Sequence, residues 1–148
     1  MKIFNTEFEV SMRILILLDC ANSWLNDNKI IYLDFFSLYS KTYEIQDENL
    51  NGDCSFMIND LTIQRNLYKK SIKELAIDGF IQIKADDTGY SYKINSNGSS
   101  LVSKMETEYA MKYKTIAETI IKKFSNYSDE RIKEYAKKME EKSANESY

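Results

Sequence analysis

Hydrophobic positions recur with two different periods along the chain, and the switch between them falls at Gly79. Between Thr62 and Asp78, Leu67, Tyr68, Ser71, Ile72 and Leu75 share one side at helical spacing, while Arg65, Asn66, Lys69, Lys70 and Lys73 share the other. That spacing predicts one amphipathic helix. Gly79 supplies the left-handed cap that ends it. Phe80 to Lys84 and Gly89 to Ile94 then alternate in the manner of strands around Asp86-Asp87-Thr88-Gly89, which predicts a hairpin. Helix, glycine stop, strand, turn and strand make up the second half of a winged helix. The predicted fold is mainly α with a small β-hairpin: a winged-helix domain with N- and C-terminal helical extensions.

Upstream, Thr6-x-x-Glu9 is a capping box for a helix running to about Asn22, with Phe4 close enough to pack on its first turn. Val10, Met12, Ile14 to Leu18 and Ala21 wrap nearly the whole circumference. Such a helix is buried on all sides, either as the centre of the domain or under another chain. Arg13, a charge inside that wrap, is expected to pair with Glu9 or to lie at the helix edge. Asn26-Asp27-Asn28 breaks the chain before a helix from Lys29 to about Ser40. Within it Asp34 is expected to cap or pair locally on an exposed edge, because carboxylates are rarely buried unpaired. Tyr43 to Ser55 reads as an acidic loop without the spacing of a calcium-binding EF-hand. Phe56 to Leu61 forms a short helix or strand leading into the main helix.

Beyond the hairpin, Leu101, Met105, Tyr109, Tyr113, Ile116, Ile120 and Phe124 recur at steps of three and four. They predict one long amphipathic helix from about Ser99 to Phe124. Ser128 caps a weaker helix, Asp129 to about Lys142, which frays or docks on something, before a short tail. The expected division is a winged-helix-like domain over residues 1–124 and a charged helix and tail over 125–148.

Composition narrows the chemistry. The 148 residues include no histidine, and the four glycines, Gly52, Gly79, Gly89 and Gly98, are isolated. The commonest general base and metal ligand are therefore missing, and no glycine-rich phosphate loop exists. Cys20 and Cys54 are too few for a disulfide framework or a zinc site. Asp86-Asp87 and Glu140-Glu141 are neighbours in sequence, on a turn and on an exposed helix, and neither pair suits acid–base catalysis. The expectation is a protein that is not an enzyme, with no cofactor and no metal site. The longest apolar run, Ile14 to Leu18, stops at Asp19. No transmembrane or signal segment is read, no membrane partner is expected, and the expected location is the cytoplasm.

Charge is polarised. Residues 1–60 carry four bases and ten acids, a net −6, while residues 61–100 carry six bases and four acids, a net +2. The candidate DNA-binding residues are Arg65, Lys69, Lys70 and Lys73 for phosphates, Asn66 for an adenine edge, and Lys84 from the hairpin. The alternative is that these bases form a solvated helix face. For a protein partner, the first helix offers more apolar surface than one small core covers. Phe8, Met12, Leu15 and Asp19 lie on one side of it, and Val10, Ile14, Leu17 and Ala21 on another. One side is expected to pack on the core and the other to meet a partner or a second copy. The candidate partner-binding residues are Phe4, Phe8, Val10, Met12, Arg13, Ile14 and Leu15, completed by Tyr109 and Tyr113.

Three stretches taken in order carry a family resemblance: Phe4-Asn5-Thr6-x-Phe8-Glu9 with Arg13-Ile14-Leu15, then Tyr32-Leu33-Asp34-Phe35 with Tyr39-Ser40, then Leu75-x-x-x-Gly79-Phe80-Ile81. Over residues 4–124 the chain resembles the small middle component of bacterial ABC-three-component systems, which are related to Lamassu defence systems. The resemblance implies a non-catalytic adaptor between an SMC/Rad50-like ABC ATPase and an effector such as a nuclease. It implies immunity against phage or plasmid DNA, with DNA met through the complex. The alternative is a stand-alone winged-helix DNA-binding transcriptional regulator, which the acidic N-terminal half disfavours.

Overall fold

A computed structural model describes residues 6–39 and 57–146. Phe4, the acidic stretch from Tyr43 to Ser55 and Cys54 lie outside the described residues. The element order is α1 (Glu7–Ala21), β1 (Leu25–Asn26), α2 (Asp27–Leu38), α3 (Met57–Ile77), β2 (Ile81–Asp86), β3 (Gly89–Ile94), α4 (Ser96–Ser103), α5 (Glu108–Phe124) and α6 (Asp129–Glu146). The architecture is mostly helical with one small antiparallel sheet.

Helix α1 starts where the capping box places it. The Thr6 hydroxyl accepts from the Glu9 amide at 3.2 Å and donates to the Glu9 carboxylate at 2.8 Å. It ends on Asn22, whose left-handed backbone (φ 46°) suits the short amide side chain. Between these ends, Val10 and every residue from Arg13 to Leu18 are buried. The all-round apolar sequence thus makes a central helix, packed against α2, α3, α4, α5 and β3.

The end of α3 follows the glycine signal. Gly79 has φ 83°, the Phe80 amide reaches back to the Leu75 carbonyl at 3.0 Å, and the Gly79 amide bonds the Ala76 carbonyl at 3.1 Å. This pair of bonds is the Schellman motif, and it turns the chain straight into β2. Strands β2 and β3 pair from Ile81↔Ile94 to Asp86↔Gly89, with Asp87 and Thr88 at the turn. A third strand joins them: Leu25 pairs with Tyr92 and Asn26 with Ser91, giving the sheet order β1-β3-β2. Two residues are too short to show strand alternation, so this segment read only as a break. Asn26 also caps α2, accepting from the Lys29 amide at 2.9 Å.

The long helix expected from Ser99 to Phe124 is two helices. Helix α4 begins earlier, on Asn95, whose side chain accepts from the Gly98 amide, and stops at Ser103. Thr107 then starts α5 by accepting from the Ala110 amide at 3.1 Å. The exposed carbonyls left by the break are answered by Lys114, which donates to Val102 and Met105 oxygens at 3.0 and 2.9 Å. The stripe does not hold across the break: α5 buries Tyr113, Ile120 and Phe124 from it, but α4 buries Val102 and leaves Leu101 exposed.

Helix α6 docks on α2 and buries Ile132, Ala136 and Met139. Its Asp129 accepts from the Asn26 amide nitrogen at 2.7 Å. Tyr135 joins Phe36, Phe124 and Tyr127 in an aromatic cluster with centroid separations of 4.8 to 6.5 Å, a range favourable for tilted and edge-on rings.

Candidate functional site

Two features stand out: a charged knot at the centre of the protein and an apolar groove beside it. The knot holds α1 in place. Arg13 and Asp34 are each 0% exposed. The Arg13 Nε donates to both Asp34 oxygens at 3.0 and 3.3 Å, and Nη2 donates to Oδ2 at 3.2 Å. The Tyr113 hydroxyl donates to Asp34 Oδ1 at 2.6 Å, and the Tyr68 hydroxyl donates to Oδ2. One carboxylate thereby ties α1, α2, α3 and α5 together. This corrects the expected placement of the pair: Arg13 lies in the core on Asp34 rather than at the helix edge, and Asp34 is not on an exposed edge. A buried charge needs a full set of partners, and these came from helices far apart in sequence.

The electrostatics follow. Burial, the largest single influence, lowers the Arg13 pKa, but the Asp34 charge, the neighbouring tyrosines and the hydrogen bond to Asp34 together overcome it and hold the value well above the ordinary one. Burial, reinforced by the Asp34 charge, pushes the Tyr68 and Tyr113 phenols well above theirs. Tyr109, beside Arg13, is pushed up to about 12 by burial, Arg13 opposing. Burial lifts the Cys20 thiol to about 11, so it holds its proton and is a poor nucleophile. The four groups of the knot, Arg13, Asp34, Tyr68 and Tyr113, face inward.

The groove lies where α1, the end of α3 and the α4–α5 connection meet, with a volume of about 540 Å³. Phe8, Met12, Leu15, Leu75, Phe80 and Met105 line its apolar part. Phe8 is 77% exposed, and Leu101, also on the lining, is 36% exposed. Glu7, Glu74 and Asp78 border one side, and Lys104 and Glu106 the other. Glu7 is paired with Lys70 at 3.0 Å. That contact and the adjoining Glu74 hold the Glu7 carboxyl low, while Glu7 raises that of Glu74.

Of the partner-binding candidates, Val10, Arg13, Ile14, Leu15 and Tyr113 are buried in the chain's own core, and Tyr109 is half-buried. Both sides of α1 are covered along its middle; Phe8 is its exposed apolar residue, and Met12, Cys20 and Ala21 are partly buried. Leu75, Phe80, Leu101 and Met105 complete the groove. They were missed because they come from two segments far from α1 in sequence. Of the DNA-binding candidates, Arg65 is half-buried and donates to Asn28 Oδ1 at 2.9 Å. Lys70 is spent on Glu7, and Lys84 sits over the Trp24 ring at 4.7 Å. Asn66, Lys69 and Lys73 are exposed on α3.

Among the described residues no helix is long and apolar enough to cross a membrane, and no group of three or more His, Cys, Asp or Glu is placed to hold a metal ion. The family model of ABC-three component (ABC-3C) system Middle Component 2 matches residues 3–146. No curated protein and no solved structure matches the chain.

Proposed function

The chain belongs to the Middle Component 2 family of ABC-three-component systems, and from that premise we propose that it is a non-catalytic adaptor linking an SMC/Rad50-like ABC ATPase to an effector such as a nuclease. It is a component of such a system and works with the system's other components. The proposed outcome is defence against phage or plasmid DNA in the cytoplasm. The observation that carries the reading is the family match across residues 3–146, which takes in α6 as well as the core.

The physical character of the chain supports an adaptor. Among the described residues its buried Arg13 and Asp34 are consumed in holding four helices together, and its open apolar surface includes a groove. The order α1-β1-α2-α3-β2-β3 with the sheet order β1-β3-β2 supports the winged-helix reading of the core. A winged helix serves equally as a protein-binding module, so the fold alone decides nothing about DNA.

One observation favours the second reading, a stand-alone DNA-binding regulator: Asn66, Lys69 and Lys73 are exposed together on α3. Three side chains make few phosphate contacts, and the chain is net −3. Counterion release from so few contacts supports only weak binding, on the order of micromolar or worse at physiological salt. The test pairs co-purification with the system's ATPase component and duplex-DNA binding by the isolated chain. The adaptor reading expects a stable complex and weak, salt-sensitive DNA binding. Tight, sequence-specific binding by the isolated chain would replace it with the regulator.

A further inference from the structure

We propose that the groove between α1, the end of α3 and the α4–α5 connection receives an amphipathic helix of a partner protein, apolar on one face and flanked by lysine or arginine. The proposal rests on the adaptor reading and names the chemistry of the docked segment. The groove offers Phe8 and Leu101, both exposed, together with Met12, Phe80 and Met105. Burying such side chains is the main driving force of association.

The border selects the charge of the occupant. Glu74 and Asp78 lie on one side and Glu106 on the other, with Lys104 as the opposing base and Lys70 already neutralising Glu7. With Glu7 taken by Lys70, Glu74, Asp78 and Glu106 still outnumber Lys104 on the lining, which favours a cationic occupant. A second copy is disfavoured, because a symmetric contact through the same groove would set acidic borders against each other. The secondary structure of the occupant follows from the walls. Their residues come from α1, α3, α4 and the segments that follow α3 and α4, and none of them lies on a strand. An extended segment would find no strand edge to pair with, whereas a helix arrives with its own backbone bonds made.

The test measures fluorescence anisotropy of two labelled helical peptides against the full chain. One is a leucine–lysine sequence with leucines on a single face, and the other has glutamate in place of every lysine. The expected result is that the lysine peptide binds at least about tenfold more tightly, with the gap closing as salt is raised. The pair Phe8→Glu and Leu101→Glu should weaken it by about tenfold or more. Both residues are exposed, and circular dichroism should find the variant folded. The pair Glu74→Lys and Asp78→Lys should reverse the preference between peptides. Equal affinity for the two peptides, or binding indifferent to these substitutions, would overturn the proposal. Self-association of the wild-type chain that Phe8→Glu abolishes would also overturn it, in favour of a second copy. Co-expression with the ATPase component separates the two levels. If the Phe8→Glu, Leu101→Glu variant still co-purifies, the docking site lies elsewhere and the adaptor reading stands. If the wild-type chain fails to co-purify, the adaptor reading itself fails.

Discussion

Replacing Asp34 by asparagine should destabilise the protein more than almost any other single-atom change. The carboxylate accepts from Arg13 through two nitrogens and from the Tyr68 and Tyr113 hydroxyls. Asparagine keeps the size but removes the charge, and its NH₂ presents protons where one oxygen had accepted them. Arg13, 0% exposed, is then a cation without its counter-charge. Removing one partner from a buried pair costs about 3–5 kcal/mol. With a urea dependence of about 2 kcal/mol per molar for a domain this size, the midpoint should fall by about 1.5–2.5 M. Urea unfolding followed by circular dichroism measures it. The control is the fully apolar replacement, Arg13→Met, Asp34→Leu, Tyr68→Phe and Tyr113→Phe together. It removes every charge and hydroxyl of the knot at once and should recover most of the loss, because a paired buried charge is costly to break but contributes little net stability over a packed apolar core. An Asp34→Asn midpoint within about 0.3 M of wild type would refute the reasoning, since a loss below about 1 kcal/mol is what an exposed pair gives.

Three further outcomes follow from the same packing. The raised phenols of Tyr68, Tyr109 and Tyr113 stay protonated in the folded chain while the unfolded chain ionises near pH 10. Their contribution is therefore complete below about pH 10 and is lost as pH rises toward 12 and beyond. Ultraviolet titration should find these tyrosines ionising only with cooperative unfolding, and smooth titration of all eleven tyrosines near pH 10 in a folded protein would contradict it. Gly98→Ala places a methyl 2.3 Å from the Phe80 carbonyl oxygen, a backbone atom that cannot swing aside. The clash should cost about 1–3 kcal/mol despite alanine's better helix propensity, and thermal melting measures it. Ser71 is buried with its hydroxyl unpartnered, so Ser71→Ala should leave stability, read by thermal melting, unchanged or raise it by about 1 kcal/mol at most; a fall would contradict it.

Local rules wrote much of this protein directly into its sequence. The Thr6–Glu9 cap, the glycine stop at Gly79, the turn at Asp86 to Gly89 and the apolar side of α3 depend on residues within a few positions of one another. Periodicity also marked α1 as a helix buried all round, because its apolar residues, Val10, Met12, Ile14 to Leu18 and Ala21, leave it no wide polar face. What the tertiary structure decided is whatever depends on distant partners. Strand β1 exists because Tyr92 and Ser91 stand beside it. The break between α4 and α5 persists because Lys114 answers its carbonyls. Arg13 and Asp34 looked like surface charges since their partners, Tyr68 and Tyr113, lie 34 and 79 residues from Asp34. The groove has no sequence signature at all: its walls come from residues 7–15, 74–80 and 101–107. Spacing along the chain reveals which side of one helix is apolar, but only packing determines which part of that side remains uncovered.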